Sequence, residues 1–247
     1  MSLLLRLAVL FITCLLPISN SAFAGGGYFS LGYGHIAKQT SGAVTAVAND
    51  VYAGASNPGK LTTVGNQFEV GVEFFNPHRK VKRTGATGPE SAFNFSSNSR
   101  NSFFAIPGFA YSKQLSNTVT VGVTAYANGG LNSEYTNTTG IASTNGNSGA
   151  CGTQPGNFFI GCGAAGFDLS QLIIAPTIAW KVAPSHSIGI SPLFAVQRFE
   201  SFGLQGFAGL SKYPTKFTNN GYDIAFGAGV RVGWYGEITP WLSLGAA

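Results

Sequence analysis

The chain has 247 residues, of which only 9% are charged, and its formal net charge at pH 7 is +5. Soluble globular domains carry about 25% charged residues, so this chain has too few charges to cover a soluble surface. Gly (34 residues), Phe (20) and Tyr (9) are abundant instead. This composition favours a transmembrane β-barrel with an apolar band and aromatic girdles, and argues against a soluble β-sandwich, which would normally carry more Lys and Glu.

Residues 1–24 have the pattern of a signal peptide. Arg6 supplies the positive charge, residues 7–18 form an apolar stretch, and Ala22-Phe23-Ala24 is a small-x-small cleavage site before Gly25. A membrane anchor is the alternative, but the apolar stretch is shorter than the ~20 residues that span a bilayer. No later segment has eighteen consecutive apolar residues. We therefore expect an exported chain without a transmembrane helix, either soluble or a β-barrel.

Residues 25–65 are rich in small residues and lack the alternation of a strand. The segment contains Gly32-Tyr33-Gly34, the run 42–50, and Ser56-Asn57-Pro58-Gly59. Proline fixes its backbone dihedral and asparagine hydrogen-bonds local backbone in turns. The pair Asn57-Pro58 therefore predicts a stiff corner, with an ordinary turn before a strand as the alternative.

Alternation with a period of two predicts seven strands after this segment. They lie at about 66–76, 102–113, 118–128, 170–182, 187–199, 222–234 and 241–245. In the first strand Glu69 and Glu73 alternate with apolar residues, and in the sixth strand Arg231 does the same. Because a charged side chain is disfavoured in lipid, we expect these three to face the lumen.

Two long polar connections, near 129–168 and 200–220, contrast with short turns near 115–117, 184–187 and 239–240. Outer-membrane barrels have short periplasmic turns and longer extracellular loops, so we expect the long connections outside the cell. Their apolar residues are candidates for a hydrophobic ligand pocket, or else pack loop against loop: Phe158, Phe159, Ile160, Leu169, Phe202, Leu204 and Phe207. Arg198 and Lys212 are candidate cations for a ligand carboxylate, or solvated loop charges.

Cys151 and Cys162 are the two cysteines that remain after signal removal, and in an exported chain they favour a disulfide. Closing this short loop would stabilise the fold by ~2–3 kcal/mol. The sequence shows no metal site and no cofactor motif. The basic run at 78–83 reads as a solvated loop that would face water or anionic headgroups, and no nucleic-acid-binding fold surrounds it.

The signal peptide, the segment with Asn57-Pro58-Gly59 and the long amphipathic strand after it resemble the start of the FadL/TodX family. These outer-membrane proteins transport hydrophobic compounds, and an N-terminal hatch with an Asn-Pro-Ala motif plugs their fourteen-stranded barrel. The resemblance implies an all-β fold, a transmembrane antiparallel β-barrel with a hatch at 25–65 and barrel strands in 66–247. Asp50, Asn57, Pro58 and Gly59 are then hatch positions, with Gly59 in place of the usual alanine. We expect Asp50 to pair with a lumen cation such as Arg231.

Seven predicted strands, the last one incomplete, are about half of the family's fourteen. An open sheet leaves unpaired backbone groups in lipid, so we expect a C-terminally truncated member of the family. A smaller barrel and a barrel assembled from several chains are the alternatives. The family implies a monomer at full length.

The predicted function is passive uptake of hydrophobic molecules through the outer membrane, gated by the hatch. Long-chain fatty acids are the first candidate cargo, and aromatic hydrocarbons are the second. A different class of function would be a non-transporting structural or adhesin barrel, or a porin for polar solutes. Partners are outer-membrane lipids and a small hydrophobic ligand, with no nucleic acid. No enzyme is expected: Ser185-His186-Ser187 does not make a triad, and the glycine-rich start does not link a strand to a helix as a phosphate loop does.

Overall fold

The computed structural model describes residues 27–85, 87, 94–136, 156–159 and 161–247. The predicted signal peptide (1–24), Cys151 and Ile160 lie outside these residues. Within them, no helix combines the length and the apolar character needed to cross a membrane.

Seven strands form one antiparallel sheet, which confirms the predicted all-β fold class. Its strands, in order across the sheet, are β1 (Gln67–Phe75), β4 (Phe104–Gln114), β5 (Val119–Tyr135), β6 (Ala165–Ala183), β7 (His186–Phe202), β8 (Asp223–Thr239) and β9 (Leu242–Ala246). Each strand after β4 pairs with the strand before it in sequence. Among the described residues, β1 and β9 form the two edges of this sheet.

One face of the sheet is apolar and exposed from edge to edge. Residues paired across antiparallel strands lie on the same face, so Phe68 shares its face with Tyr111, and Val70 with Phe109. On β8 the same face carries Phe226, 80% exposed, and Val230, 63% exposed. The alternation in sequence thus predicts this face correctly.

The opposite face carries small and polar side chains, and it is the buried one. Its buried members include Ser112, Thr120, Thr124, Thr177, Ser187 and Ser191. A polar face that is buried needs a covering layer that satisfies its hydrogen-bonding groups. Here the covering layer is the N-terminal segment, defined as residues 27–66.

The N-terminal segment contains helix α1 (His35–Gln39) and two 3₁₀ helices, Val51–Ala55 and Pro58–Thr63. The 3₁₀ helices contact strands β4 to β8, so the sheet curls around the segment. The core of the molecule lies in this contact, where Tyr52 and Leu61 pack with Tyr126, Ala175 and Ala179 of the sheet. As predicted, the segment contributes no strand to the sheet; Phe29 makes one isolated bridge to Gly129.

Four strands extend at least three residues beyond their predicted bounds, and two of them, β7 and β8, continue to Phe202 and Thr239. β5 continues to Tyr135 and β6 begins at Ala165, so the connection expected at 129–168 spans 136–164. The connection expected at 200–220 spans 203–222, and it contains 3₁₀ helices Gln205–Leu210 and Pro214–Lys216. The extension of β5 contains Asn132, Ser133 and Glu134, and that of β6 contains Asp168, so the apolar alternation is interrupted there although the backbone ladder continues.

The expectation of a loop over the whole basic run at 78–83 is wrong. Residues Lys80–Arg83 form β2, which pairs with β3 (Phe95–Asn98) in a separate two-stranded sheet. Three charges in four residues hide this strand from a hydrophobicity pattern.

Short and long connections lie at opposite ends of the sheet. The turns 115–118, 184–185 and 240–241 are at one end, and the connections 76–103, 136–164 and 203–222 are at the other. The β2–β3 sheet belongs to the end with long connections, since it lies within 76–103.

Candidate functional site

Asn57 fixes the N-terminal segment to the sheet. Its side chain is fully buried, and Nδ2 donates to the Thr45 carbonyl at 2.8 Å and to the Trp234 carbonyl of β8 at 2.7 Å. Oδ1 accepts from the Gly59 amide at 2.9 Å. Asn57 is thereby the N-cap of the second 3₁₀ helix, and Pro58 occupies its first turn, where its missing N–H costs nothing. The predicted corner exists, and it is joined to the sheet.

Gly59 allows a very close approach between this helix and β8. A Cβ atom at position 59 would lie 2.9 Å from the Gly233 carbonyl oxygen and 3.0 Å from Trp234 backbone atoms. The Gly59 carbonyl also accepts a hydrogen bond from Ser187 Oγ at 2.7 Å. The presence of glycine, in place of the alanine of the resembled motif, therefore has a local steric reason.

Asp50 pairs with Lys60, and the expected pairing with Arg231 is wrong. Lys60 Nζ lies 2.5 Å from Asp50 Oδ2 and donates to the Val44 carbonyl at 2.6 Å. The side chains of both residues are almost completely buried. Asp50 Oδ1 accepts from the Tyr52 amide at 3.1 Å and caps the first 3₁₀ helix. A cation ten residues away in the same segment reaches the carboxylate more readily than one on the barrel wall.

Burial lowers the pKa of the Lys60 ammonium, and the Asp50 carboxylate opposes that shift. Burial also raises the pKa of Tyr52 to about 12, with further contributions from Glu69 and Asp50. The interior of the segment is thus a desolvated region in which one ion pair joins the two 3₁₀ helices.

Arg231 faces inward, as predicted, and holds the N-terminal segment through a backbone group. Its Nη1 donates to the Gly54 carbonyl at 2.7 Å and lies 3.4 Å from the Tyr126 hydroxyl oxygen. Gly54 itself lies close to the wall, since a Cβ atom there would be 2.7 Å from Thr177 Oγ1. Arg231 therefore docks the first 3₁₀ helix onto the sheet.

Glu69 and Glu73 also face the N-terminal segment, as predicted. Glu69 lies 2.8 Å from His35 Nδ1, and Glu73 lies 2.8 Å from Lys38 Nζ. These contacts join helix α1 to β1 at one edge of the sheet. The segment is therefore bonded to the sheet from β1 to β8.

Residues 28–30 lie against β5 where β4 no longer pairs with it. The β4–β5 ladder covers only Gly108–Gln114 of β4, and β5 has an irregularity between Ala127 and Gly129. There the Gly130 amide donates to the Tyr28 carbonyl at 2.9 Å. The start of the N-terminal segment thus covers an interruption in the wall.

An apolar cleft lies at the end of the sheet with long connections. We call it the phenylalanine cleft; it has a volume of about 330 Å³ and is lined by Val81, Lys82, Arg83, Phe95, Phe158, Phe159 and Phe207. Phe158 stacks on Phe95 with ring centroids 4.1 Å apart, and Phe159 contacts Phe207 at 6.0 Å. Three of the predicted ligand residues therefore meet, together with the unpredicted β2–β3 sheet.

Asn157 positions the phenylalanines of this cleft. It is buried, and its Nδ2 donates to the Gly203 carbonyl at 2.8 Å, which ties residues 156–159 to the next connection. Its Oδ1 accepts from the amides of Phe159 at 2.9 Å and Gly161 at 3.0 Å. The backbone before and after Phe158 is thereby fixed.

The other predicted pocket residues are dispersed. Leu204 is buried, and Phe202 lines a second cavity of about 320 Å³ with Cys162 and Asn219. Leu169 pairs with Phe199 on the inner face of the sheet. Ile160 lies outside the described residues, so its role stays a prediction.

Arg198 is engaged away from the phenylalanine cleft. It shares the outer face with Ile224, its Nη2 lies 3.6 Å from Asp168 Oδ2, and its guanidinium lies 4.7 Å from the centre of the Tyr222 ring. Lys212, the other candidate cation, stands over the ring of Tyr213 at 5.5 Å. Neither cation is among the lining residues of the cleft.

Cys162 is disulfide-bonded. Cys151 lies outside the described residues, so the pairing of Cys151 with Cys162 stays a prediction. The two residues flank the stretch that carries Phe158 and Phe159.

Sequence reasoning missed several residues of these sites. Lys60 is the second member of the buried ion pair, Phe95 and Lys82 complete the cleft, and Asn157 fixes its loop. Asn157 precedes two phenylalanines in a polar stretch, which was a usable signal. A buried lysine next to a turn gives none, because lysines in such positions are usually exposed.

The fold is similar to that of solved FadL and TodX structures. The chain matches a crystal structure of a Pseudomonas aeruginosa FadL homologue with a TM-score of 0.52 and 10% sequence identity, over 88% of this chain and 50% of that chain. It matches the P. putida toluene transporter TodX with a TM-score of 0.60 and 18% identity, over 85% of this chain and 53% of that one. A deltaS2S3 mutant of TodX, described as a monoaromatic hydrocarbon channel, gives a TM-score of 0.60 and 19% identity, over 84% and 52%.

The predicted resemblance to FadL/TodX proteins is confirmed at the level of the fold. This chain spans about half the length of the solved chains that it matches. No protein-family model and no curated protein matches the chain.

Proposed function

We propose that this chain is part of an outer-membrane channel for passive uptake of hydrophobic molecules, of the FadL/TodX family. The observation that carries the proposal is that the two faces of the sheet differ in polarity and in burial. One face is apolar and exposed, whereas the other is polar and covered by the N-terminal segment. A sheet with this distribution fits a barrel wall between lipid and a plugged lumen.

The N-terminal segment acts as the hatch in this proposal. Asn57, Arg231 and the Asp50–Lys60 pair hold it in the closed position. A few buried hydrogen bonds and one ion pair can hold a segment that must also move, since each contributes a limited free energy that a rearrangement can offset. Pro58 and Gly59 keep the corner stiff and close to the wall.

The phenylalanine cleft is the proposed first binding site for cargo. Burying apolar ligand surface stabilises a complex by roughly 25 cal/mol per Å² before entropic costs, and aromatic rings supply this surface in the cleft. Ligand then passes the hatch, and the interruption between β4 and β5 under residues 28–30 offers a sideways exit from the lumen.

Long-chain fatty acids are the proposed cargo, and monoaromatic hydrocarbons are the second candidate. The second rests on the likeness to TodX, whose description names toluene. A structural or adhesin barrel is a weaker candidate, because it has no need of a segment bonded across the inner face of the sheet. The proposed setting is the outer membrane of a Gram-negative cell, reached through a cleaved signal peptide, with a monomeric complete protein.

Uptake by cells that lack their own transporter tests this function. The cells express the complete protein, its Asn57→Ala variant or its Asn220→Ala variant, and receive either radiolabelled oleate or toluene. Asn220 is exposed and bonds only to Thr218 among the described residues, so it is the matched control. We expect oleate uptake with the wild type and the control. Asn57→Ala should release the docked segment, because unpairing buried groups costs about 1–3 kcal/mol each, so oleate uptake should rise several-fold and a polar chromogenic β-lactam should enter.

Uptake of toluene without oleate would change the cargo and retain the channel. Uptake of neither compound by correctly inserted wild-type protein would refute transport and favour a structural barrel. Equal uptake of both compounds by the wild type and Asn57→Ala would retain the channel and refute the hatch role of Asn57.

A further inference from the structure

We propose that the outward face of the β2–β3 sheet, which carries Lys80 and Lys82, binds the phosphorylated saccharide head group of an anionic lipid in the outer leaflet. This inference rests on the membrane setting of the proposed function and names the lipid that the surface meets there. The sequence left open whether the basic run faces water or head groups. The two faces of the small sheet and its height above the apolar band favour head groups.

One face of the β2–β3 sheet is covered by the phenylalanine cleft. Phe95 on this face stacks on Phe158 with ring centroids 4.1 Å apart. Val81 pairs with Ser97 on the same face, and Ser97 is buried. The cleft also contains Phe207 from the connection between β7 and β8. Connections of strands that are far apart in a curled sheet meet over its concave side, so this face is directed toward the lumen.

The opposite face of the β2–β3 sheet is exposed and basic. Successive strand residues point to opposite faces, so Lys80 and Lys82 lie on this face, although Lys82 borders the cleft between its neighbours. The two lysines pair with Asn98 and Ser96, and all four residues are exposed. Among the described residues, this face has no carboxylate, and no ion pair involves either lysine. Two cations and two hydrogen-bonding side chains therefore point away from the lumen.

The small sheet begins just beyond the apolar band of the outer face. The guanidinium of Arg79, one residue before β2, donates to the carbonyl of Asn132 on β5. Asn132 pairs with Asp168 on β6, whereas the exposed apolar residue Leu172 lies four residues further from the end with long connections. β2 thus starts where polar residues replace apolar ones, at the level of the head groups. In a barrel this end faces the outside of the cell.

Charge and height together select the lipid. Lysine ammonium groups bind phosphate as point charges, and clusters of basic residues at a membrane surface attract anionic lipids. At ~3.3 Å per strand residue, the second lysine lies ~7 Å beyond the first. Cations at two heights, with hydroxyl and amide groups beside them, fit a phosphorylated saccharide better than the single phosphodiester of a phospholipid. We commit to a phosphorylated glycolipid of the outer leaflet as the occupant.

Native mass spectrometry of the complete protein in a neutral detergent tests the inference. The probes are diphosphoryl lipid A, the same lipid after removal of both phosphates, and phosphatidylglycerol, which is anionic and has no saccharide. The test variant is Lys80→Gln with Lys82→Gln, and Lys80→Arg with Lys82→Arg keeps both charges. The control is Lys113→Gln with Lys181→Gln, which removes two exposed lysines near the short turns.

We expect the test variant to bind diphosphoryl lipid A about tenfold more weakly than the wild type, because two basic residues near the head group are lost. The arginine variant and the control should bind it like the wild type. The dephosphorylated lipid should bind the wild type and the test variant equally. Raising the ionic strength should reduce the difference between the two proteins on diphosphoryl lipid A, because salt screens exposed charges.

Equal binding of diphosphoryl lipid A by the wild type and the test variant would overturn the inference. An equal loss in the control would also overturn it, because total charge rather than this face would then be responsible. Phosphatidylglycerol bound as tightly as diphosphoryl lipid A by the wild type would remove the preference for a saccharide. These results leave the proposed channel standing, since uptake by cells tests it separately. Lipid binding that depends on the lysines, without any uptake, would refute the channel and retain this surface.

Discussion

Among single residues, the buried ion pair between Asp50 and Lys60 has the most specific consequences. Its charges are 2.5 Å apart and shielded from water, and they connect the two 3₁₀ helices of the N-terminal segment, the proposed hatch. A buried pair is not by itself strong evidence of stability, because both ions lose hydration. Removal of one partner is costly, however, since the other charge then stays buried alone.

Replacement of Lys60 by Met should therefore detach the hatch. We expect Lys60→Met to destabilise its docking by about 3–5 kcal/mol and to accelerate hydrogen exchange of residues 44–64. Combining it with Asp50→Asn should restore much of the protection, because no uncompensated charge remains. Lys38→Met, which removes the half-exposed pair with Glu73, should cost less than about 1 kcal/mol. Equal exchange in Lys60→Met and Lys38→Met would show that the buried pair does not hold the hatch.

At the scale of elements, the second 3₁₀ helix lies close to the strands beneath it because the strands carry glycines, which have no side chain, at the contact. Gly189, Gly233 and Gly245 each lie under the corner at 57–59 or under Thr45, where a Cβ atom would lie 2.0–2.4 Å from an atom of the N-terminal segment. Contacts of this kind permit backbone-to-backbone approach, and they exclude larger residues on both partners.

Substitution of Gly59 by Ala tests this fit. The new methyl group would meet backbone atoms of Gly233 and Trp234, which cannot rotate away, so we expect a loss of about 1–3 kcal/mol. Limited proteolysis of the N-terminal segment would report it as faster cleavage. Gly71→Ala is the matched control, because a Cβ atom there has no neighbour within 4 Å. If both variants resist protease like the wild type, the helix and β8 have room to adjust.

Across the whole molecule, exposure of apolar residues has two different meanings. Val230 is 63% exposed on the outer face of β8, whereas Leu210 is 87% exposed in the connection 203–222. The proposed membrane setting places the first in lipid and the second in water. Exposure alone does not separate them; position relative to the sheet does.

Lysine at these two positions should distinguish lipid from water. Val230→Lys should make folding into lipid vesicles less favourable by about 2–4 kcal/mol, the cost of a lysine at the bilayer midplane of a barrel. Leu210→Lys should change it by less than about 0.5 kcal/mol, as for an ordinary surface substitution. Folding can be followed by the gel mobility shift of unheated samples. Tolerance of Val230→Lys would mean that this face of the sheet does not meet lipid.

Structural features that produce a short repeat in the order of polar and apolar residues were predictable from the amino-acid sequence alone. A strand that separates lipid from lumen alternates at every second residue, so the pattern predicted the outer face, the inward direction of Glu69, Glu73 and Arg231, and all seven strands of the main sheet. The corner at Asn57-Pro58 was predictable as well, because asparagine and proline act on their own local backbone.

Contacts between distant groups, by contrast, emerged only from the folded chain. Asp50 takes Lys60 and not Arg231 as its partner, because the fold of the N-terminal segment places that ammonium beside it. The phenylalanine cleft assembles residues from three separate connections, one of them the charged β2–β3 sheet that no apolar alternation marks. Alternation is a local property of a strand whose two faces meet different surroundings. Ion pairs, close backbone contacts and clefts depend instead on long-range packing, which no short repeat in the sequence encodes.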